Sequence, residues 1–333
     1  MTQKRKRLGR ILPPALMLAL AVGSTGCIKK MLVDGQIEGT RKASSAFDTI
    51  GDFEMARTAA QAGLVQFEGM HKLAPDNEDA LFMLTKGWTG FGFAFVEDEW
   101  EIAMDAGDKE LAAYQVKRAK MAYDRAIFYG LEHLGHKAQG FNAAKKDDKS
   151  IHTWLAENFT DTDDAEILFW TGYAWMARVN VMKGDFEGAE YVAELFIGVA
   201  MIERSVALQP SYNHWAGTVA LAAYHSRMAM AELDQSKQMF EMALQKTEGK
   251  ALVVQLNYAT KYACTKQDRA TYETQLNNVL IADDPDPEQR LTNAIAKRRA
   301  KRALAPARIH DCGMDNQPPT PLPPPKNVAP AVD

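Results

Sequence analysis

Proline is concentrated at the two ends of this chain and is scarce between them. Of fourteen prolines, Pro13 and Pro14 lie near the start, and eight follow residue 305. The long stretch from Ile28 to Ala303 contains only Pro75, Pro210, Pro285 and Pro287. A body so poor in proline, and rich in Ala, Leu, Met, Glu, Gln and Lys, can be helical throughout. It cannot readily form a β-sandwich or barrel, which needs frequent Pro, Gly or Asn turns.

Composition and charge exclude several functional classes. The chain has 333 residues, of which 47% are hydrophobic and 25% are charged, as in ordinary globular proteins. A formal charge of −4 and a pI of about 6.0 argue against a nucleic-acid partner, because such a partner is bound by a basic surface. Three cysteines are too few for a disulfide scaffold or a cysteine-rich zinc site.

The N-terminus has the three parts of a secretory signal peptide, which we assign to residues 1–26. A basic patch between Lys4 and Arg10 precedes the apolar run Ile11–Val22, and small residues follow before Cys27. The apolar run is too short to cross a bilayer of about 30 Å, which takes about 20 apolar residues.

The segment Ser24–Cys27 resembles a bacterial lipobox, in which the cysteine is diacylated and becomes the mature N-terminus. Gly26 before Cys27 fits that pattern, whereas Ser24 stands where leucine is preferred. The resemblance implies a lipid anchor on Cys27, and Ile28 after it favours the outer membrane. The alternative is ordinary signal-peptide cleavage that leaves Cys27 as a free thiol. Cleavage removes five basic residues, so the 34 that remain face 43 acidic ones and the mature charge is about −9.

The body contains patterns typical of paired helices. The sequence Ala119-x3-Tyr123-x2-Ala126 matches the tetratricopeptide (TPR) signature of a small residue, an aromatic residue and an alanine. A second match consists of Ser236, Phe240 and Ala243. Pro75, Pro210 and Pro285 follow helical runs and precede others, and Gly51–Phe53 and Gly184–Phe186 read as turns within helical hairpins. The alternative is an ordinary α-helical bundle in which the matches arise by chance.

We therefore predict an all-α fold of TPR-like helical-hairpin repeats with about 11–13 helices. The predicted domain covers residues 27–305, and residues 306–333 are predicted to be a disordered, proline-rich tail.

Five segments, in order along the chain, resemble the TatT family, the TPR lipoprotein component associated with TRAP transporters (tripartite ATP-independent periplasmic). They lie at 91–101, 118–135, 167–181, 201–217 and 286–305. The resemblance implies a periplasmic helical lipoprotein, a homotrimer, a ligand-accommodating cavity, and the solute-binding protein of a TRAP system as partner. The serine in the lipobox, a long insertion after Gly135 and the proline-rich tail depart from the family pattern.

Two aromatic sets are candidates for the cavity or a partner interface. The first lies in a glycine-rich run and contains Trp88, Phe91 and Phe95; the alternative is tight helix packing. The second contains Trp170, Tyr173, Trp175, Tyr212 and Trp215, and its alternative is an ordinary core. Two charged runs are expected to be solvated helix faces: the acidic residues Glu97, Asp98, Glu99 and Glu101, and the basic run 297–302.

No catalytic, metal-binding or cofactor-binding motif emerges, so we expect no enzyme activity, no metal and no cofactor. Cys264 and Cys312 would both reach an oxidising compartment and are a possible disulfide. The function predicted is an adaptor that docks a TRAP solute-binding protein and holds a small, partly apolar ligand. The alternative is a TPR scaffold lipoprotein of outer-membrane or envelope assembly.

Overall fold

The computed structural model describes residues 30–182, 188–227 and 232–320. Within these ranges the chain is helical and contains no strand, which confirms the all-α prediction. The signal peptide, Cys27, the turn at Gly184–Phe186 and residues 321–333 lie outside the described residues. None of the described helices has both the length and the apolar character of a membrane span.

The first half of the chain, up to residue 182, contains helices α1 to α8. They are α1 (30–43), α2 (Phe53–Leu73), α3 (Glu78–Phe91), α4 (Glu97–Asp105), α5 (Lys109–Lys137), α6 (Phe141–Ala144), α7 (Asp148–Asn158) and α8 (Asp164–Met182). A 3-10 turn, Ser44–Thr49, follows α1. A five-residue π-helical segment, Gly92–Val96, joins α3 to α4 and is called the first π-turn below.

The second half continues with shorter helices. They are α9 (Gly188–Ala193), α10 (Leu195–Leu208), α11 (Tyr212–Arg227), α12 (Leu233–Lys246), α13 (Leu252–Asn257), α14 (Cys264–Lys266), α15 (Arg269–Ile281), α16 (Arg290–Ala303) and α17 (Pro306–Asp311). A second π-turn, Tyr258–Ala263, joins α13 to α14. Among the described residues, the short helices bring the number of helices slightly above the 11–13 expected.

Local sequence explains where five of these helices begin. Carboxylate or amide side chains accept hydrogen bonds from free backbone N–H groups at the starts of α2, α3, α5, α7 and α15; the capping residues are Asp52, Asn77, Asp108, Asp147 and Asp268. Pro75, Pro210 and Pro285 lie between helices, as the hairpin prediction requires.

Helices that follow one another along the chain pack side by side, from α2 on α3 through α5, α8, α10 and α11 to α12. This order is compatible with TPR-like hairpins. The small residues that such repeats need are at the contacts: Gly172 of α8 and Gly198 of α10 each approach the other's backbone so closely that a Cβ would lie under 3.0 Å from a carbonyl oxygen. The predicted repeat residues Ala119, Tyr123, Ala126, Ser236, Phe240 and Ala243 are all buried.

The last long helix returns to the beginning of the domain. Helix α16 packs against α13 and α15, and also against α2 and the 3-10 turn Ser44–Thr49. The stack of hairpins therefore returns to its beginning, and a partly open space lies between α2, α3, α8, α11, α13 and α16.

The structure differs from the disordered tail expected after residue 305. Pro306–Asp311 is helical, and Ile309 and Met314 are buried against the C-terminal helices. Cys312 forms a disulfide with Cys264, and the side chain of Arg269 donates to the carbonyl oxygen of Gln317. The covalent link and the apolar contacts hold residues 306–320 on the domain.

Candidate functional site

A cavity of about 320 Å³ lies where α16 meets the N-terminal helices. Such a volume is at the lower end of the range of small-molecule sites. Its walls come from α2, α3, the first π-turn, α8, α11, α13 and α16. Most of the lining is apolar, and the residues that recur in the argument below are Gly63, Phe91, Phe93, Phe95, Trp170, Tyr173, Ala220 and Asn257.

The first π-turn builds the aromatic wall of the cavity. Gly92 lies against Tyr123 of α5, where a Cβ would come within 2.9 Å of the tyrosine ring. The turn can therefore sit tightly on α5, and Phe91, Phe93 and Phe95 around it reach the cavity. Phe93 meets Tyr173 edge to face with ring centres 5.8 Å apart, an arrangement that aromatic pairs prefer.

The eight aromatic candidates from the sequence occupy different places. Phe91, Phe95, Trp170 and Tyr173 line the cavity. Tyr212 lies behind them, where its hydroxyl accepts a hydrogen bond of 2.9 Å from the Trp170 indole. Trp88 packs on the core and donates to Glu68 over 2.8 Å, and Trp175 is buried in the core. Trp215 faces a separate polar pocket with Lys246 and Asp286.

Sequence patterns did not indicate the polar groups around the cavity. Lys86 lies 3.2 Å from Asp48, and both reach the lining. Asn213 and His214 reach it from a left-handed turn in which Asn213, His214 and Trp215 have φ of 46°, 55° and 64°. Three such residues in succession are costly for side chains with a Cβ, and backbone strain of this kind clusters at functional sites. The cavity therefore combines an apolar body with a few polar groups.

The comparison with protein families decides what kind of protein has this cavity. The family model TAtT, described as TRAP transporter T-component, matches residues 50–308. The chain belongs to this family. No curated protein matches it. The matched residues include every α-helix that lines the cavity, and membership associates this T-component with a TRAP transport system.

Ion pairs between α4 and the C-terminal helices α16 and α17 form a ladder of charges, in which Glu97, Asp98 and Arg299 are buried. Asp98 of α4 pairs with Arg298 and Arg302 of α16 over 2.7 and 2.6 Å. Arg302 also contacts Glu101 over 2.5 Å, and Arg308 of α17 contacts Asp105 over 2.6 Å. The expectation that the acidic and basic runs are two solvated faces is therefore wrong for these residues. The opposite charges of the two runs were the sequence signal from which their pairing could have been predicted.

Arg299 is the innermost member of the ladder. Its guanidinium lies 4.3 Å from the ring centre of Phe93 and donates to that residue's carbonyl oxygen over 2.5 Å. It also lies 3.8 Å from both Glu97 and Glu101. Burial raises the pKa of Glu97, which accepts a hydrogen bond from the Tyr123 hydroxyl. Burial alone would raise the pKa of Glu101 too, but Arg299 and Arg302 hold it below the ordinary value.

The described part of the T-component offers no group of three or more His, Cys, Asp or Glu side chains that could hold a metal ion. The family is one of transporter components, and most of the groups that line the cavity are aromatic or aliphatic. What this lining can do chemically is to bind an apolar group and orient it by a few polar contacts.

Proposed function

We propose that this T-component is a periplasmic, lipid-anchored adaptor of a TRAP system that holds a small, partly apolar ligand in its cavity and docks the solute-binding protein. The observation that carries the proposal is the cavity enclosed by the return of α16. An apolar ligand is stabilised there because aromatic walls remove it from water, at about 25 cal/mol per Å² of apolar surface buried.

An exposed stripe on α5 supports docking. Tyr114, Met121 and Phe128 recur every seven residues and are 58%, 69% and 61% exposed. Residues seven apart share one face of a helix, so the three side chains form one line. Exposed aromatic and methionine side chains are enriched at protein interfaces. We assign this stripe to the solute-binding protein. We further propose that the protein forms a homotrimer through other surfaces. Each subunit is anchored to the membrane through the lipid on Cys27.

Filling the cavity tests ligand holding. Gly63 of α2 lines the cavity and has nothing within 4 Å of an added Cβ. Gly63→Leu should therefore occupy the space without disturbing α2, and Gly69→Leu, at an open and exposed position on the same helix, is the matched control. Binding of 1-octanol, followed by the fluorescence of Trp170 and the other tryptophans, should be lost in Gly63→Leu and kept in Gly69→Leu. Equal binding by the two variants would refute a ligand in this cavity.

Capture from membranes tests docking. The full-length protein should recover a TRAP solute-binding protein, and the double variant Tyr114→Lys/Phe128→Lys should lose it while keeping its oligomeric state. Recovery of only barrel-assembly or secretion components would support the scaffold alternative instead.

Labelling with radioactive palmitate tests the lipid anchor. It should be lost in Cys27→Ala, and unchanged labelling would exclude the anchor on this residue.

A further inference from the structure

The stripe on α5 is part of a regular seam in which arginines alternate with the exposed apolar side chains. Arg118 and Arg125 lie between Tyr114, Met121 and Phe128, so successive members are four, three, four and three residues apart. This spacing places all five side chains on one line, as at the a and d positions of a coiled coil. At 1.5 Å per residue the seam is about 21 Å long.

The guanidinium of Arg125 is fixed from behind and open in front. Its Nε donates to Glu68 of α2 over 2.7 Å, and its Cζ lies 5.3 Å from the ring centre of Trp88 of α3. Burial alone would raise the pKa of Glu68, but hydrogen bonds from Arg125, Tyr129 and Trp88 bring it to about 2, so this carboxylate stays charged. The arginine side chain is nevertheless 48% exposed, and no described residue accepts a hydrogen bond from its Nη1.

Arg118 is held in the same way by a different helix. Its Nη1 donates to Glu99 of α4 over 2.7 Å and to Gln115 over 2.8 Å, and its Cζ lies 5.9 Å from the ring centre of Tyr114. The side chain is 30% exposed, and among the described residues its Nε and Nη2 have no acceptor. Both arginines therefore present donors whose positions are set before a partner binds, which lowers the entropic cost of binding.

The charge of α5 indicates the sign of what the seam can bind. From Lys109 to Arg125 the helix has five basic and two acidic side chains, on a chain whose formal charge is −4. A second copy of the seam would place its arginines opposite arginines or opposite apolar side chains. Either arrangement leaves desolvated charge without a counterion, so self-pairing is disfavoured. An acidic partner removes that cost.

The spacing of the seam indicates the shape of that partner. Its members follow one another at about 5.2 Å along the axis of α5. A second helix with residues at a and d positions repeats at the same interval, whereas same-face residues of a strand are about 6.7 Å apart. A lipid surface is bound by a broad basic and apolar face, but here the exposed apolar side chains form a single line.

We propose that this seam binds an acidic amphipathic helix of the solute-binding protein. Carboxylates of that helix pair with Arg118 and Arg125, whose planar forks match them. Its apolar side chains pack against Tyr114, Met121 and Phe128. This inference rests on the proposed docking function of the stripe and adds the chemical character of the surface that docks there.

The experiment measures the affinity of the full-length protein for the solute-binding protein purified by membrane capture, with calorimetry at 50 and 500 mM NaCl. Wild-type binding should weaken with salt, because salt screens complementary charges. Arg118→Met/Arg125→Met should bind at least about tenfold more weakly at 50 mM NaCl and depend little on salt, since buried arginines are frequent hot spots. Lys109→Met/Lys117→Met removes the same charge from exposed positions of α5 beside the seam, and should stay within about threefold of the wild type.

A third variant keeps the test valid if the methionine variant does not fold. Arg118→Lys/Arg125→Lys retains both charges but loses the planar forks, so its affinity should lie between those of the wild type and the methionine variant. Thermal unfolding followed by circular dichroism establishes which variants are folded.

The outcomes separate this inference from the docking proposal. If Tyr114→Lys/Phe128→Lys still binds the solute-binding protein, the docking stripe itself is refuted. If that variant loses the partner while the arginine variants bind like Lys109→Met/Lys117→Met, the stripe stands and the acidic helix is overturned. A changed sedimentation coefficient of the methionine variant would assign the seam to a second copy and overturn the inference. So would its loss of binding to phosphatidylglycerol vesicles in a Cys27→Ala background, which would assign the seam to the membrane.

Discussion

The guanidinium of Arg299 lies 4.3 Å from the ring centre of Phe93, and the same side chain donates a hydrogen bond to the carbonyl oxygen of that residue. The two residues are 206 positions apart in the sequence, yet Phe93 lines the cavity and Arg299 contacts both its ring and its backbone. The wall of the cavity is therefore held in place by the ion pairs of α16.

Replacing Arg299 tests this support. Arg299→Met leaves the buried carboxyl of Glu97 without its cation, and breaking a buried pair costs about 3–5 kcal/mol. Urea unfolding should show a loss of stability of that size. Lys301→Met on the exposed face of the same helix should change stability by less than about 0.5 kcal/mol. A loss below about 1 kcal/mol in Arg299→Met would mean that the contacts of Arg299 do not hold the wall.

The crossing of α8 and α10 should tolerate no side chain at its centre. A Cβ on Gly172 would lie 2.8 Å from the carbonyl oxygen of Gly198 and 2.9 Å from Met201, so Gly172→Ala must push the helices apart. We expect it to destabilise the protein by about 1–3 kcal/mol in thermal or urea unfolding.

Gly69→Ala is the matched control for that crossing. Gly69 lies within α2 with open space around it, and alanine stabilises a helix interior by about 0.5–1 kcal/mol relative to glycine. The two glycine variants should therefore change stability in opposite directions. The same sign in both would contradict a close approach at Gly172.

The Cys264–Cys312 disulfide should contribute to stability through the loop that it closes. The two residues are 48 apart in the chain, and closing a loop of that length removes entropy from the unfolded state worth about 4 kcal/mol. Cys264→Ser/Cys312→Ser should lose roughly 2–4 kcal/mol in urea. Dithiothreitol should destabilise the wild type and leave the double variant unchanged, and a reductant effect on both would point to another cause.

Lys261 should make stability depend on pH. Burial holds its pKa at about 7 in the folded protein, against 10.5 ordinarily. Below pH 7 both states carry the proton, and the folded state bears the full cost of the buried charge. Between pH 7 and 10.5 the unfolded state binds more protons, so stability rises with pH. Lys261→Met should therefore stabilise the protein at pH 6 by up to about 5 kcal/mol.

That gain should shrink as pH rises. At pH 9 the folded lysine is already neutral, so the advantage of methionine should fall to roughly 2 kcal/mol and vanish near pH 10.5. Urea unfolding of Lys261→Met, Lys266→Met and the wild type at pH 6 and pH 9 measures the difference. An equal effect of Lys261→Met at both pH values would show that Lys261 is not buried as a charge.

Sequence patterns predicted the elements that depend on neighbouring residues. Pro75 and Pro210 separate helices because proline cannot continue one, and Asp268 caps α15 because its side chain accepts a hydrogen bond from the backbone N–H of Thr271. The family comparison confirms the resemblance to the TatT family. Of the aromatic residues predicted to line a cavity or an interface, Phe91 and Tyr173 line the cavity.

The rest of the fold and of the site depends on contacts between residues far apart in the sequence, which local patterns cannot predict. The acidic run of α4 and the basic run of α16 each read as a solvated face, because a helical wheel shows one helix and not its partner. Lys261 lies in a π-turn, where the usual spacing of buried positions shifts by one residue. The left-handed turn at Asn213 had no glycine to indicate it. The return of α16 pairs the two charged runs and adds Leu291 and Ile295 to the cavity that Asn213 also lines.

The docking of α16 on the N-terminal helices also determines the order in which parts of the protein can fold. Arg298 and Asp98 are 200 residues apart, and bringing them together closes a loop that includes most of the domain. Contacts of such long range form late in folding. During synthesis the N-terminal hairpins can fold first, but the cavity forms only when the C-terminal helices dock. A chain cut short before residue 290 would keep much of its helix content and have no closed compartment.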